Sequence, residues 1–599
     1  MISSGLFILP GIAYAKCGSA VILAYFLSGL LVLPGVLSKA ELATAMPRAG
    51  GTYFYMERSL GPVAGVIGGL ANWLSLSLKS AFALMGLGIF AVVIYPDITL
   101  LQVKMIAVGC CLFFMVLNMW SVKETGRAQI IMVFVALGIL AFYAIWNVPH
   151  VRLPKYIPFM PHGFKSVFSV AGLVFISYGG LTKVASIAEE VKKPKRNIPL
   201  GMLSAFFVTL SVYVVTIFIT VGVADSTALA ETRMPLSLVA GQTMGQWGAI
   251  LLAIAAVMAF ITTANAGILS ASRFPLAMSR DRLLPRVFRY VNRRKRTPYI
   301  AIFVTGGFMI VVILFLGLED LIKTASTMKI LLFIFCNISV IIMRESKIQN
   351  YRPTFRSPFY PWLQIFGIIV PAFLIFEMGK IALVITGLFV GAALVWYRLY
   401  VYKKIDRQSA LVHLIERITA KELVRKTLPG ELREILRERD NIIEDRFDRL
   451  IKSCEILDIQ EKMDVEKLFS KLALTLSPRM EMKESDLVKL FWERERESST
   501  VLAPGLAIPH IVIPGKKKFD VLLVRAKAGI RFPGHTKPVR TLFVLMGSKD
   551  ERNFHLRVLA AIAQIVQDED FEKHWMSAYW AEDLRDIVLL AERKRFKDG

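Results

Sequence analysis

What most constrains this chain is a succession of apolar segments, each near the thickness of a bilayer, that stops abruptly at about residue 402. A membrane-spanning helix needs ~20 consecutive apolar residues, and a backbone inside hydrocarbon must satisfy its own hydrogen bonds. The segments therefore predict helices near 4–17, 19–41, 62–94, 100–121, 127–147, 166–188, 199–223, 247–272, 298–317, 322–343, 358–378 and 380–401. The chain is 55% hydrophobic over 599 residues, too apolar for a protein that keeps a wetted surface all round. The fold class expected is an all-α polytopic membrane domain at 1–402, then a charged helical connector at 403–458 and a soluble α/β domain at 459–599.

Charge orients these spans. Residues 1–400 hold 34 Lys and Arg against 13 Asp and Glu. The basic residues gather in alternate loops: Arg48 and Arg58; Lys123 and Arg127; Lys192 to Arg196; Arg273 to Arg296; and Arg344 to Arg356. Loops rich in Lys and Arg stay in the cytoplasm, which puts the C-terminal domain there too. The same distribution accounts for the net charge of +26 without nucleic acid as a partner. The cysteines, Cys17, Cys110, Cys111, Cys336 and Cys454, have no metal-ligand or CxxC spacing, so no metal is expected. The start lacks the charged segment of a cleavable signal. The connector mixes both charge signs with Leu and Ile at helical spacing; it reads as a solvated linker, with a coiled-coil or homodimer contact as the alternative.

Three segments put Gly, Ser and Pro where a spanning helix should be smooth: "MISSGLFILPG" at 1–11, "FISYGGLTKVASIAEEVKKPKRNIP" at 175–199 and "ITTANAGILSASRFPLAMSRDRLLP" at 261–285. A helix broken in mid-bilayer frees backbone groups. Its N–H groups can hold a carboxylate and its carbonyls an ammonium, as a zwitterion requires. Small residues also permit close helix packing. Ser3, Ser4 and Gly5 in the first segment and Tyr178, Gly179 and Gly180 in the second are the candidate substrate-binding residues. The two breaks lie about five spans apart, the separation an inverted five-helix repeat gives.

These motifs carry a resemblance. "MISSGLF" is similar to the first-helix motif of the amino acid–polyamine–organocation transporters, and "AELATAMPRAGGTYFYMERSLGP" at 40–62 to their second-helix and loop motif. "AEEVKKPKRNIP", "NAGILSASRFPLAMSRDRLLP" and "YRPTFRSPFYP" follow in the family's order. The resemblance covers nearly all of 1–402. It implies the leucine-transporter fold, two inverted five-helix repeats plus two further helices, with substrate between the broken first and sixth. Ser3 stands where the family usually has Gly, which changes local flexibility. Some proton-coupled members carry a fifth-helix lysine; Ala136 occupies that place here, which puts that proton scheme in doubt. Relatives also have about half a helix before "MISSGLF", so the chain as given is expected to lack part of its first helix.

Ionisable groups inside the spans need a reason to be there, because each costs a few kcal/mol unless paired or wetted. Lys79 and Lys183 are read as substrate-carboxylate contacts or coupling charges, against a buried pair or a snorkelling side chain. Both favour an anionic or neutral substrate over a cationic one. Thr262 and Thr263 offer hydroxyls of the kind a sodium site uses, so the candidate coupling residues are Lys183, Thr262 and Thr263, with Na+ or H+ as the ion. No other cofactor is expected.

After 459, helical patterns at 464–475 and 484–497 precede β-like runs "GLAIPHIVI", "FDVLLVRAKAGI" and "TLFVLMG"; helical patterns return at 552–567 and 581–593. This region resembles the type-2 enzyme IIA domain of the sugar phosphotransferase system. The resemblance makes His510, ending "APGLAIPH", the phosphoryl acceptor, with His555 of "HLRVLAAIAQIV" beside it and a phosphocarrier protein as partner. Imidazole is a competent nucleophile near neutral pH. Ile511 stands where the family prefers a small residue, a bulk that puts phosphodonor docking in doubt; the alternative is a retained fold that has lost phosphotransfer and binds something else. The function expected is secondary transport of amino acids, by symport or exchange, under control of the IIA-like domain. An amino-acid sensor without net transport is the alternative, and an enzymatic phosphotransfer relay ranks last.

Overall fold

The computed structural model describes the chain except Met1, Ser3, Ala49, 94–96, 121–122, 182–190, 293–296, Lys403, 405–408, 420–426, Asn441 and 596–599, and except the side chains of Val93, 120–128 and 416–431. It forms two units, Met1–Leu428 and Pro429–Gly599.

The first unit is helical. Its first helix is in two pieces, α1 (Ser4–Phe7) and α2 (Leu9–Cys17), because Ile8 leaves helical geometry at φ −120° and Pro10 starts the second piece. There follow α3 (Val21–Ala45), α4 (Thr52–Leu60), α5 (Pro62–Phe90), α6 (Leu100–Trp120), α7 (Lys123–Asn147) and α8 (Gly163–Val174). A 3-10 turn over Phe175–Gly180 continues α8 and ends its regular course. Then come α9 (Pro194–Val223), α10 (Ser226–Glu231), α11 (Pro235–Arg280), α12 (Tyr299–Phe315), α13 (Leu318–Glu345), α14 (Trp362–Glu377), α15 (Lys380–Trp396) and α16 (Ala410–Thr419). Gly245, at φ +70°, divides α11 into a short lead-in and the long span expected from 247. Among the described residues nine helical stretches are long and apolar enough to cross a membrane; Leu9–Ala45 contains two of the expected helices, and α12 and α14 are shorter apolar helices. Each span expected from the sequence has its counterpart. The short α4 and α10 had no apolar run to announce them.

Two buried polar clusters explain why the loop motifs are charged. Glu41 of α3 accepts from Arg344 Nε at 2.8 Å and Nη2 at 2.6 Å, from the Tyr351 hydroxyl at 3.0 Å, and from the Ser357 amide at 2.8 Å and hydroxyl at 2.7 Å. In the second cluster Tyr53 donates to Asp281 at 2.7 Å, and Arg58 joins Glu57 to Asp281 while lying over the Phe54 ring. Each cluster ties one motif to another more than two hundred residues away.

The second unit is a seven-stranded mixed sheet with helices on both faces. Its strands are β1 (Glu455–Ile459), β2 (Met463–Asp464), β3 (Val501–Ala503), β4 (Leu506–Ala507), β5 (His510–Ile513), β6 (Phe519–Arg531) and β7 (Val539–Ser548). β6 and β7 form the antiparallel centre, β1 and β2 join β6 in parallel, and β4 and β5 join β7 in parallel. One face packs on α19 (Val465–Met480) and α20 (Glu484–Glu497). The other packs on α18 (Arg446–Ser453), α21 (Arg552–Val566), α22 (Phe571–Ser577) and α23 (Ala581–Leu589). The C-terminal end of the segment read as connector is structured within this unit. α17 (Thr427–Arg439) leads into α18, which is capped by Asp445 and buries Phe447 and Ile451 in the core, and β1 begins at Glu455.

Candidate functional site

The breaks in the first and sixth helices touch. A Cβ on Gly5 would lie 2.3 Å from Ser177 Oγ, so only glycine allows the two backbones this close. The Gly5 carbonyl accepts from the Tyr25 hydroxyl at 2.6 Å and from Ser177 Oγ at 3.4 Å. At the sixth-helix break, Ser326 of α13 accepts from the Ile176 amide at 3.2 Å and donates to the Leu173 carbonyl at 2.8 Å. The Ile176 carbonyl accepts from Lys79 Nζ at 3.0 Å; the Ser177 carbonyl accepts from Lys79 Nζ at 3.3 Å and from the Tyr213 hydroxyl at 3.3 Å. Interrupting a buried helix demands partners for its orphaned groups, and α3, α5, α9 and α13 supply them.

Three buried tyrosines frame the place. Tyr178 donates to the Tyr25 carbonyl at 2.9 Å; the Tyr213 ring packs edge-on to Tyr25, with centroids 5.9 Å apart, and 5.3 Å from Tyr178. Of the substrate-binding candidates, Ser4, Gly5, Tyr178, Gly179 and Gly180 are buried in these two breaks. Ser4 Oγ has no hydrogen-bond partner among the described residues. Ser3 and Lys183 lie outside the described residues. Thr262 and Thr263 are buried on α11; Thr262 donates back to the Ala259 carbonyl at 3.0 Å. Thr262 also lines a cavity of about 280 Å³ with Ile2, Ala136 and Thr209. Sequence reading passed over Tyr25, Tyr213 and Ser326, each a single polar residue in an apolar run with nothing to mark which face it takes.

In the second unit His510 opens β5, where alternation buries Ile511 and Ile513 and leaves His510 and Val512 outward. Ile511 is 5% exposed and belongs to the core under α19 and α20, so its bulk does not stand on the face where a phosphodonor would meet His510. The His510 and His555 rings lie 5.3 Å apart. His510 Nδ1 donates to the Ile508 carbonyl at 2.9 Å, and its Nε2 accepts from Arg494 Nε, also at 2.9 Å. That fixes the tautomer and leaves Nε2 as the nitrogen with a lone pair. Burial lowers the pKa of both imidazoles below the usual value, and Arg494 lowers both further. Both rings are therefore neutral at pH 7, the nucleophilic form. Arg494, in the charged run "WERERE", escaped the sequence reading because neighbouring charges mask it.

Two family models match the chain, one over each unit. The family model described as amino acid permease matches residues 1–401. That of the phosphoenolpyruvate-dependent sugar phosphotransferase system, EIIA 2, matches 451–590. The chain is 28% identical over 419 residues to the branched-chain amino acid permease BcaP of Bacillus subtilis, covering 67% of this chain and 90% of that one. It is 26% identical over 389 residues to the methylthioribose transporter of the same organism, covering 61% and 82%. With the vacuolar cationic amino acid transporter 8 of Arabidopsis thaliana it shares 26% over 363 residues, 57% of this chain and 60% of that one. Among solved structures, nitrogen regulatory protein IIA-Ntr from Neisseria meningitidis aligns at 26% identity over 24% of this chain and 98% of that one, with a TM-score of 0.22. The chain belongs to the amino acid permease family: it is a multi-pass membrane transporter, not an enzyme, and it carries a phosphotransferase-system EIIA type-2 domain after its membrane unit.

Proposed function

We propose that the protein is a secondary active transporter of amino acids whose flux is set by its EIIA-like domain. The observation that carries the reading is the contact between two helix breaks inside the membrane unit, with the Gly5, Ile176 and Ser177 carbonyls and the buried Ser4 hydroxyl gathered there. Backbone acceptors at one break suit an ammonium; the amides that start the outer half of the first helix suit a carboxylate. One relative is named for branched-chain amino acids, so those are the first probes. Purified protein in liposomes should accumulate one of them, and the same ligand should raise the melting temperature by mass action. Binding without flux would favour the sensor reading.

Coupling follows from the ion that drives this uptake. With Ala136 in place of a fifth-helix lysine, sodium coupling, exchange or protonation of another group such as Lys183 is expected. Uptake against imposed sodium and proton gradients decides between them. Lys183→Met should abolish proton-driven uptake if Lys183 is the coupling group, and unchanged uptake would remove it.

For the EIIA-like domain, Nε2 of His510 is the proposed phosphoryl acceptor and a phosphocarrier protein the donor. The incoming phosphate would meet Arg494 and the N-terminal turn of α21, both favourable to an anion. Incubation with phosphocarrier components should give acid-labile phosphohistidine, absent in His510→Ala. Because burial and Arg494 lower both pKa values, the acceptor keeps its neutral form to a lower pH than an ordinary histidine, so labelling should fall off only below the usual imidazole pKa of about 6.5. Label that survives His510→Ala would place the acceptor elsewhere.

A further inference from the structure

Lys79 has no part in the transport reading above. It stands in the interior of α5, 3% exposed, where a charge is costly unless it is held. Among the groups that hold it are two carbonyls released by the sixth-helix break: Ile176 at 3.0 Å and Ser177 at 3.3 Å. These are the acceptors that the transport reading assigns to a substrate ammonium. The ε-ammonium of lysine and the α-ammonium of an amino acid have the same charge, size and number of donors. The carbonyls have lone pairs for further donors, but two ammonium groups on the same pair would stand within a few ångströms of each other in a buried site and repel, so one excludes the other.

We propose that Lys79 is the resident occupant of the ammonium subsite, an internal competitor that must withdraw before a zwitterion can bind. The inference rests on the reading that the helix breaks form the substrate site. Geometry opposes the other role open to a buried lysine here, a contact to the substrate carboxylate. Two of the three N–H groups of Lys79 already point at backbone oxygen, leaving one at most for an anion. The tether also matters. A side chain anchored beside its acceptors competes at high effective concentration, and substrate affinity falls by the fraction of molecules in which the carbonyls are open. Gly179 completes the arrangement from the other side: a Cβ there would meet Lys329 Cε at 3.5 Å, so a second lysine stem runs beneath the same turn.

The test uses full-length protein, wild type and Lys79→Met, with melting-temperature and equilibrium binding measurements against the standard amino acids. Lys79→Met keeps an unbranched apolar stem as far as Cε and removes the ammonium. The expected result is that the best amino acid ligand binds Lys79→Met ~10-fold more tightly or better than wild type, the gain coming from carbonyls no longer occupied. Equal or weaker binding by folded Lys79→Met overturns the inference and leaves the site in place. No binding of any amino acid by either protein overturns the underlying reading instead. If Lys79→Met does not fold, a structure of wild type with its ligand decides. Substrate ammonium on the Ile176 and Ser177 carbonyls with Lys79 displaced supports the proposal; ligand bound with Lys79 still on those carbonyls sinks it.

Discussion

Replacing Gly5 with alanine should abolish uptake, and the methyl group alone suffices. Its Cβ would fall 2.3 Å from Ser177 Oγ, 2.7 Å from Ser177 Cβ and 2.9 Å from Ser177 Cα. The last is backbone, so no rotation of the serine relieves the overlap, and the first helix must retreat from the sixth. Retreat breaks the bond from Tyr25 to the Gly5 carbonyl and separates the two breaks by an ångström or so. Displacements of ~1 Å cost about 100-fold where function depends on placed groups. Gly179 gives the contrast within the same site. A Cβ there lies at ordinary contact distance, 3.5 Å from Lys329 Cε, so Gly179→Ala should transport nearly as wild type while Gly179→Leu should not. Uptake into liposomes, with the melting temperature of each variant as the folding control, checks the series. Wild-type uptake by Gly5→Ala would show that the close approach is packing alone.

The contrast between what the sequence disclosed and what it hid follows the range of the forces involved. The spans were legible because hydrocarbon enforces ~20-residue apolar helices locally. The breaks were legible because Ser4, Gly5, Gly179 and Gly180 weaken a helix where they stand. What fills the breaks was not, because it comes from far away: Lys79 bonds a carbonyl 97 residues on, and Ser326 one 153 residues back. The lysine was conspicuous as a charge in an apolar run, yet a lone sequence cannot say which carbonyl it meets. The pairing of His510 with His555 came through resemblance, as their positions on β5 and α21 give no local pattern. Arg494 was hidden in a charge run that reads as a solvated face. The connector offers the converse case. Phe447 and Ile451 were the cue that α18 packs in a core, but eight residues are too few to establish a face by periodicity.

Glu41→Ala is expected to be the most destabilising single change in the membrane unit. The carboxylate is fully buried, yet it accepts a bidentate pair from Arg344, two bonds from Ser357 and one from Tyr351. Removing it strands the Arg344 cation and leaves the Ser357 amide to seek another acceptor. Losing one partner of a buried ion pair costs about 3–5 kcal/mol, because the remaining charge has lost its compensation. Stabilities of 5–15 kcal/mol leave little margin for such a loss. Glu41→Gln separates charge from shape. The amide keeps one acceptor oxygen but turns an NH2 toward groups that are themselves donors, for a cost of about 1–3 kcal/mol. The melting temperature in detergent should therefore fall from wild type to Glu41→Gln to Glu41→Ala, with Glu41→Ala poorly recovered as a monodisperse species. Equal melting of all three would show that the cluster contributes nothing net. The order has a functional consequence, since Arg344 lies near the end of the same α13 whose Ser326 holds the sixth-helix break. Loosening the Glu41 cluster releases that end of α13. Uptake by Glu41→Gln, measured per folded molecule, should then decline along with its melting temperature, although Glu41 contacts no part of the candidate substrate site.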